Sequence, residues 1–153
     1  MEKTLKVLEC ININEWYNKM RQEKKLDGLT VKTLWALRKN MKKIQDVFNS
    51  FNEFKEGLEN DLKAEFFTEE KSEDSTMKNE NGEDVSIKKI KEEYMEEYQS
   101  KVEEINDKLR TLAYTDESLN FSPIDMEQEV ERIGEECVLD MDDLDILSIF
   151  EDK

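Results

Sequence analysis

Histidine is absent from this chain of 153 residues. It is the commonest general base and proton shuttle and a frequent metal ligand, so its absence excludes Ser-His and Cys-His nucleophile pairs and histidine-bound zinc. The four glycines are isolated, and no glycine-rich phosphate-binding loop occurs. We therefore predict no catalytic residue and no cofactor, and we expect that the protein is not an enzyme.

Helix breakers, cysteines and long apolar runs are also scarce. One proline, four glycines and 41% charged residues are typical of long helices and coiled coils rather than of a β-sandwich or barrel. Cys10 and Cys137 match no metal-ligand spacing, and two lone thiols without a cleavable signal pattern favour a reduced, cytoplasmic protein. No apolar run approaches the ~18 residues that span a bilayer, so we expect no membrane partner.

The strongest pattern is an apolar repeat with the 3-4-3-4-3 spacing of a coiled-coil seam. Its members are Leu34, Leu37, Met41, Ile44, Phe48 and Phe51. Thr30 can cap a helix that runs from Val31 to Phe66. Trp35, Val47 and Phe66 widen its apolar stripe, which predicts packing against more than one neighbour.

A second apolar repeat predicts a helix from Ser86 to Ala113. It comprises Ile87, Ile90, Tyr94, Tyr98, Val102, Ile105, Leu109 and Leu112. Neither stripe is stable alone in water, so we expect the two helices to pack as a long antiparallel, coiled-coil-like hairpin over residues 30–113. The polar residues 67–85 between them favour a mobile tip over the alternative, a small β-hairpin that turns at an Asn-Gly pair.

The N-terminal flank is an amphipathic segment over residues 1–29. Its first part, Thr4–Cys10, alternates in polarity and is either a short strand or the start of a helix. Asn12 or Asn14 can cap that helix, and an Asp-Gly pair ending at Gly28 can terminate it.

The C-terminal flank, residues 114–153, completes a single mainly α domain over residues 1–153. Leu119–Ile124 reads as an extended edge strand, whose partner is either the N-terminal stretch or the tip hairpin. Asp125 and Asp140 can each cap a short helix. The segment Cys137–Phe150 either folds back onto the core, which we favour, or docks in an apolar, basic-rimmed groove of a partner.

Negative charge is divided unevenly along the chain. Residues 1–30 and 31–66 each carry a net charge of +1, whereas residues 67–153 carry −18. Such an excess is larger than solubility requires, and the repulsion between its charges is unfavourable for the folded chain. It therefore indicates a basic protein surface as partner, such as that of a host nucleic-acid-binding protein.

The candidate partner-binding residues are acidic side chains on the second and the last predicted helices. They are Glu92, Glu93, Glu96, Glu97, Glu103, Glu104, Asp142, Asp143 and Asp145. Carboxylates also bind metals, but the segment that starts at Asp140 lacks the glycine that a calcium loop needs at its sixth position. The glutamates are typical of a solvated helix face, so we predict no metal site.

One basic cluster opposes this excess, and it consists of Arg38, Lys39, Lys42 and Lys43. A nucleic-acid contact needs more positive charge around it than this chain offers. Solvation, or pairing with the acidic second helix, explains the cluster better. We therefore expect no direct binding of nucleic acid.

The elements follow one another as a Lys-rich long helix (VKTLWALRKNMKKIQDVFNSF), a polar turn (NENGED), an acidic helix (IKKIKEEYMEEYQSKVEEINDKL), an extended segment (LNFSPIDME) and a short final helix (LDMDDLDILSIF). This layout resembles that of a family of small uncharacterised phage and prophage proteins, known mainly as a domain of unknown function. The resemblance covers most of the chain but includes no diagnostic motif. It implies a phage-encoded accessory protein in the host cytosol, and it carries over no catalytic or binding residue.

Two functions fit these patterns. The first, which we favour, is an inhibitor or regulator that presents an acidic, nucleic-acid-mimicking surface to a basic host protein, as anti-defence and anti-CRISPR proteins do. The second is a structural or assembly role, as a coiled-coil homo-oligomer or a phage morphogenesis chaperone. The wide apolar stripe of the first long helix favours this alternative.

Overall fold

The computed structural model describes residues 1–152, which form five α-helices and two antiparallel two-stranded sheets. A mainly α fold is thus confirmed. The elements are β1 Glu2–Lys6, α1 Val7–Gln22, α2 Val31–Phe66, β2 Ser72–Lys78, β3 Asp84–Ile90, α3 Glu92–Ala113, β4 Asp116–Asn120, α4 Met126–Ile133 and α5 Met141–Leu147, with single 3-10 turns at Gly134–Glu136 and Ser148–Phe150. None of the helices in this described part is long and apolar enough to cross a membrane.

The chain divides into two compact units. One, here called the terminal unit, consists of Met1–Phe51 together with the residues from Ala113 onward. The other, the middle unit, is Asn52–Leu112. The terminal unit has a buried apolar core in which α1 packs against α2. Its members are Leu5, Cys10, Ile13, Tyr17, Met20, Leu26, Leu29, Leu37, Met41, Ile44, Phe121, Ile124, Met126, Leu147 and Phe150.

The N-terminal stretch contains both of the structures that its alternation allows. β1 pairs antiparallel with β4, with Leu5 opposite Glu117, and α1 begins directly after the strand at Val7. The strand predicted at Leu119–Ile124 therefore lies earlier, at Asp116–Asn120, and of its two candidate partners the N-terminal stretch is the correct one. The Glu9 carboxylate accepts a hydrogen bond from the Lys6 N–H at 3.0 Å and so satisfies one amide at the start of the helix. Asn12 and Asn14 therefore lie inside α1, and the prediction that one of them caps it is wrong.

The end of α1 also differs from the prediction. The helix stops at Gln22, and Lys24 adopts a left-handed backbone with φ 58°. The Lys25 N–H then donates to the Met20 carbonyl at 3.0 Å, which is the closing bond of a Schellman motif. The predicted stop at Gly28 is therefore wrong by about two turns, because a lysine takes the conformation that usually falls to glycine.

Buried Cys10 lies within α1 and is a free cysteine. Burial, then the charges of Glu117 and Glu9, raises the pKa of its thiol to about 11. Only the thiolate is nucleophilic, so the neutral thiol acts as a small apolar core group.

α2 begins as its sequence predicts, because the Thr33 N–H donates to the Thr30 hydroxyl oxygen at 3.3 Å. Three residues of the 3-4 repeat, Leu37, Met41 and Ile44, are completely buried in the core of the terminal unit. The other three members are half-buried.

The C-terminal flank contains both predicted acid-capped helices. Asp125 accepts a hydrogen bond from the Gln128 N–H at 3.0 Å, and Asp140 accepts one from the Asp143 N–H at 2.8 Å. Beyond the last helix, the buried ring of Phe150 packs edge-on against Phe121 with 5.0 Å between centroids. The C-terminal segment thus folds back onto the core of the terminal unit.

The tip between the long helices forms the β-hairpin of β2 and β3, paired from Ser72 opposite Ile90 to Lys78 opposite Asp84. The favoured prediction of an irregular, mobile tip over residues 67–85 is therefore wrong, and its alternative, the small hairpin, is confirmed. Gly82 has a positive φ of 76° in the turn. α3 consequently begins at Glu92, and the prediction of a helix from residue 86 is wrong. Two isoleucines three residues apart fit a helical repeat, but here they belong to β3 and occupy its opposite faces.

Candidate partner-binding surface

α3 is amphipathic, and none of its residues is buried. Its half-buried apolar residues are Tyr94, Met95, Tyr98, Val102, Ile105, Leu109 and Leu112. Glu92 and Glu93 in the first turn and Arg110 in the last turn complement the helix dipole. Within the middle unit, the Tyr98 ring packs edge-on against buried Phe66 at 5.3 Å between centroids, which anchors α3 to α2.

Six glutamates lie in two rows on the side of α3 opposite the apolar residues. Positions four and seven residues apart share one face of an α-helix, because each turn contains 3.6 residues. The first row is Glu92, Glu96 and Glu103, and the second is Glu93, Glu97 and Glu104. All six side chains are exposed, and we call them the acidic face.

Ion pairs compensate only one member of the acidic face. The Glu104 carboxylate lies 3.7 Å from the Lys101 ammonium and 3.5 Å from that of Lys108. Within residues 1–152 the other five glutamates take part in no ion pair. Their charge is therefore available to a partner.

The charge density of the acidic face approaches that of one nucleic-acid strand. Glu92 and Glu104 lie about 18 Å apart along the helix axis at 1.5 Å per residue. Six carboxylates over this length amount to about one charge per 3 Å, and a DNA strand carries one phosphate per 3.4 Å. The acidic face can therefore meet a row of lysines and arginines with a similar number of negative charges.

The surroundings of Tyr94 show the negative field at the start of α3. The Tyr94 hydroxyl donates to the Glu70 carboxylate at 3.4 Å, and the Lys71 ammonium lies 5.6 Å from the centre of the Tyr94 ring. Partial desolvation, followed by the charges of Glu70 and Glu93, raises the pKa of Tyr94.

The three candidate aspartates of α5 have different environments. Asp142 and Asp145 are exposed, but Asp143 is only 4% exposed. The Asp143 carboxylate accepts hydrogen bonds from the Trp16 indole at 3.0 Å and from the Asp140 N–H at 3.1 Å. Burial alone raises the pKa of Asp143, but the hydrogen bonds and nearby Lys25 overcome this effect and lower it.

Asp143 therefore serves the fold of the terminal unit, and its side chain is not on the surface. A sequence signal for this role exists, since Asp143 is the third residue of a helix capped by Asp140. In a capping box the acidic residue at this position turns back to the N–H of the capping residue. The hydrogen bond to Trp16 has no such local signal.

Another buried carboxylate, Glu129, holds α4 against the start of α2. It accepts hydrogen bonds from the Thr30 N–H and hydroxyl, from the Thr33 hydroxyl at 2.7 Å and from Arg132 at 2.8 Å. Burial alone raises the pKa of Glu129, but the hydrogen bonds from Arg132, Thr30 and Thr33 lower it to about 2. The first turn of α2 contains no acidic residue, so this carboxylate provides the negative charge that a helix N-terminus favours.

A cleft of about 630 Å³ lies beside Glu129, between the start of α2 and α4. The carboxylate already has protein donors on both oxygens, which makes it a structural link rather than a free acid or base. Sequence reasoning did not find Glu129, because its partners Thr30 and Thr33 are about 100 positions away and only Arg132 is close in sequence.

In the described part of the chain, no group of three or more Cys, Asp and Glu side chains is arranged to hold a metal ion. No protein-family model, no curated protein and no solved structure matches this chain. The candidate function therefore rests on the residues of this chain and their geometry.

Proposed function

We propose that the protein acts by protein–protein binding, as a phage-type accessory protein whose acidic face occupies a basic, nucleic-acid-binding surface of a host protein. An anti-defence or anti-CRISPR-like inhibitor is the kind of protein that this mechanism describes. The observation that carries the proposal is the row pattern of α3, in which five exposed glutamates form no ion pair with any of residues 1–152.

Electrostatics explains how such a surface competes with nucleic acid. A basic channel attracts negative charge from beyond contact distance, so an acidic helix is steered to it at low ionic strength. The helix presents its carboxylates on a regular backbone, and little further ordering is needed on binding. Glu104 contributes less than its neighbours because two lysines already neutralise it. Asp142 and Asp145 add exposed charge on the terminal unit.

A pull-down from host lysate tests the proposal. The bait is the full chain, and the test variant reverses charge at Glu92, Glu93, Glu96 and Glu97 by substitution with lysine. The matched control makes the same four substitutions at exposed Glu127, Glu131, Glu135 and Glu136, so that both variants have the same net charge.

We expect the wild type and the control variant to capture a basic nucleic-acid-binding protein at low salt, and the α3 variant to lose it. Added DNA should displace the captured protein, and high salt should release it, because screening weakens exposed charge contacts. Capture that survives about 0.5 M salt or the α3 reversal contradicts the proposal, since the Debye length is then only a few ångströms.

A structural or assembly role is the second candidate function. In it, the long antiparallel helical hairpin acts as a coiled-coil element or morphogenesis chaperone. The observation in its favour is that α3 buries none of its residues and that Phe54 of α2 remains 46% exposed. An apolar oligomer would persist in high salt, whereas the acidic-face contact would not. Light scattering in low and high salt therefore separates the two functions.

A further inference from the structure

A second exposed surface lies on α2, within the terminal unit. Val31, Trp35, Arg38 and Lys42 follow one another at spacings of four, three and four residues, so they form one line along the helix, with Lys39 beside it. Val31 is 82% exposed and Trp35 is 62% exposed. We call these five residues the aromatic-basic face. The prediction that Trp35 widens the buried stripe is thus wrong.

Positive charge is concentrated around this face. Residues 31–45 carry five cations and no carboxylate, in a chain whose net charge is −16. Among them, Arg38, Lys39 and Lys42 form no ion pair within residues 1–152. Like charges one helical turn apart repel each other, and an exposed indole keeps apolar surface in water. A partner that is acidic and has space for an indole would relieve both costs.

The acidic face of α3 has both properties. Residues 92–104 carry six glutamates and one lysine, a net charge of −5 over about 18 Å, which matches the five cations that residues 32–43 carry over about 17 Å. Exposed Ser100 lies at the centre of the acidic face, four residues after Glu96 and four before Glu104. Its short side chain leaves a space among the longer glutamates.

We propose that the aromatic-basic face of one copy docks on the acidic face of a second copy, with the Trp35 indole over Ser100 and the cations against the surrounding glutamates. This inference stands on the two faces and does not rest on the proposed function. A regulatory consequence does rest on the proposed function, because self-association covers the surface that a host target needs. A target must then compete with the second copy.

Sedimentation equilibrium of the purified full chain tests the contact. We expect reversible self-association that weakens as salt is raised. The variant Arg38→Glu/Lys39→Glu/Lys42→Glu and the variant Glu93→Lys/Glu96→Lys/Glu97→Lys should each self-associate roughly tenfold more weakly or worse, because several exposed ion pairs become repulsive. An equimolar mixture of the two should associate again, because their reversed faces are complementary.

A control for net charge reverses exposed Glu127, Glu131 and Glu135 to lysine, which should not weaken association. Circular dichroism of every variant shows whether the helices are intact. A wild-type chain that stays monomeric at every concentration in low salt overturns the inference. So does a mixture of the two charge-reversed variants that fails to associate.

Two substitutions that leave the charge unchanged test the proposed contact between the Trp35 indole and Ser100. Trp35→Ala removes the aromatic group and Ser100→Leu fills the space, and each should weaken association roughly tenfold without changing the charge. Met141→Ala, at another exposed apolar side chain, should have no effect. If both Trp35→Ala and Ser100→Leu associate like the wild type, the proposed contact is wrong. These measurements use pure protein, so they can fail while the capture of a host target succeeds, and the reverse.

Discussion

The indole N–H of Trp16 donates a hydrogen bond to the carboxylate of Asp143, with 3.0 Å between Nε1 and Oδ1. The two residues are 127 positions apart, one on α1 and the other on α5. The same carboxylate accepts the N–H of Asp140 and lies 3.7 Å from the Lys25 ammonium. One buried anion thus connects three segments of the terminal unit.

Asp143→Ala should lower the free energy of unfolding by about 1–3 kcal/mol, because the Trp16 and Asp140 donors lose their acceptor inside the protein. Urea denaturation followed by circular dichroism measures the change. Asp142→Ala is the matched control, since its exposed side chain should contribute less than about 0.5 kcal/mol. Equal losses for the two aspartates would show that the link between α1 and α5 adds no stability.

The terminal unit should lose stability at low pH because Glu129 becomes protonated. Its folded-state pKa of about 2 lies below the ordinary value of 4.5. Below pH 4.5 the unfolded chain therefore binds more protons than the folded chain. Ionised Glu129 contributes on the order of 3 kcal/mol to the free energy of unfolding. This contribution is complete above pH 4.5 and is lost as pH falls towards 2. Denaturation at a series of pH values measures it.

Glu129→Gln removes the titrating group and provides the test variant for this dependence. It should be less stable at neutral pH and should lose less stability than the wild type between pH 4.5 and 2. Glu127→Gln, at an exposed neighbour, should show the wild-type change in the free energy of unfolding with pH. If Glu129→Gln also shows the wild-type change, other carboxylates cause the acid sensitivity.

Local signals in the sequence correctly predicted much of this fold. Helix caps are local, since a side chain bonds an amide two or three residues away, and Thr30, Asp125 and Asp140 all cap as expected. The core positions of α2 follow from periodicity, because packing on one side of a helix requires it.

The remaining features depend on contacts that sequence spacing does not reveal. The isoleucines before α3 fit both a helical and a strand pattern, and pairing with β2 decides in favour of the strand. The acidic face was found from composition, but the burial of Asp143 depends on distant Trp16. The hydrogen bonds of Glu129 to α2 and the exposure of the Trp35 side chain likewise depend on how the other helices of the terminal unit pack on α2.

Neutralising Glu103 and Glu104 separately should distinguish free from compensated charge on α3. Glu104→Gln removes two ion pairs and should lower the stability of the middle unit by about 0.3–1 kcal/mol, whereas Glu103→Gln should not lower it. Both variants have the same net charge. Glu103→Gln should nevertheless elute from an anion exchanger at lower salt, because it loses an uncompensated carboxylate. Identical elution would show that the lysines do not screen Glu104.

Two glycine substitutions should have opposite effects. Gly57 lies inside α2, and a Cβ there meets no atom within 4 Å, so Gly57→Ala should stabilise the helix by about 0.5–1 kcal/mol. Gly82 has φ +76° in the hairpin turn, so Gly82→Ala should cost about 1–2 kcal/mol. Thermal unfolding measures the first, and hydrogen exchange of the β2 and β3 amides measures the second. Faster exchange should be confined to the hairpin, and slower exchange would contradict the assigned turn.

Truncation of Phe150 tests whether the C-terminal segment belongs to the folded core. The ring is fully buried and packs against Phe121, so Phe150→Ala should lower the free energy of unfolding by about 3–5 kcal/mol. Exposed Met141 is the control, and Met141→Ala should cost less than about 0.5 kcal/mol. If the C-terminal segment were mostly detached from the core, both substitutions would lower the free energy of unfolding only slightly. A large cost for Phe150 alone means that a partner could recruit α5 only by unfolding part of the terminal unit, which leaves exposed Asp142 and Asp145, rather than the apolar side of α5, as its available contacts.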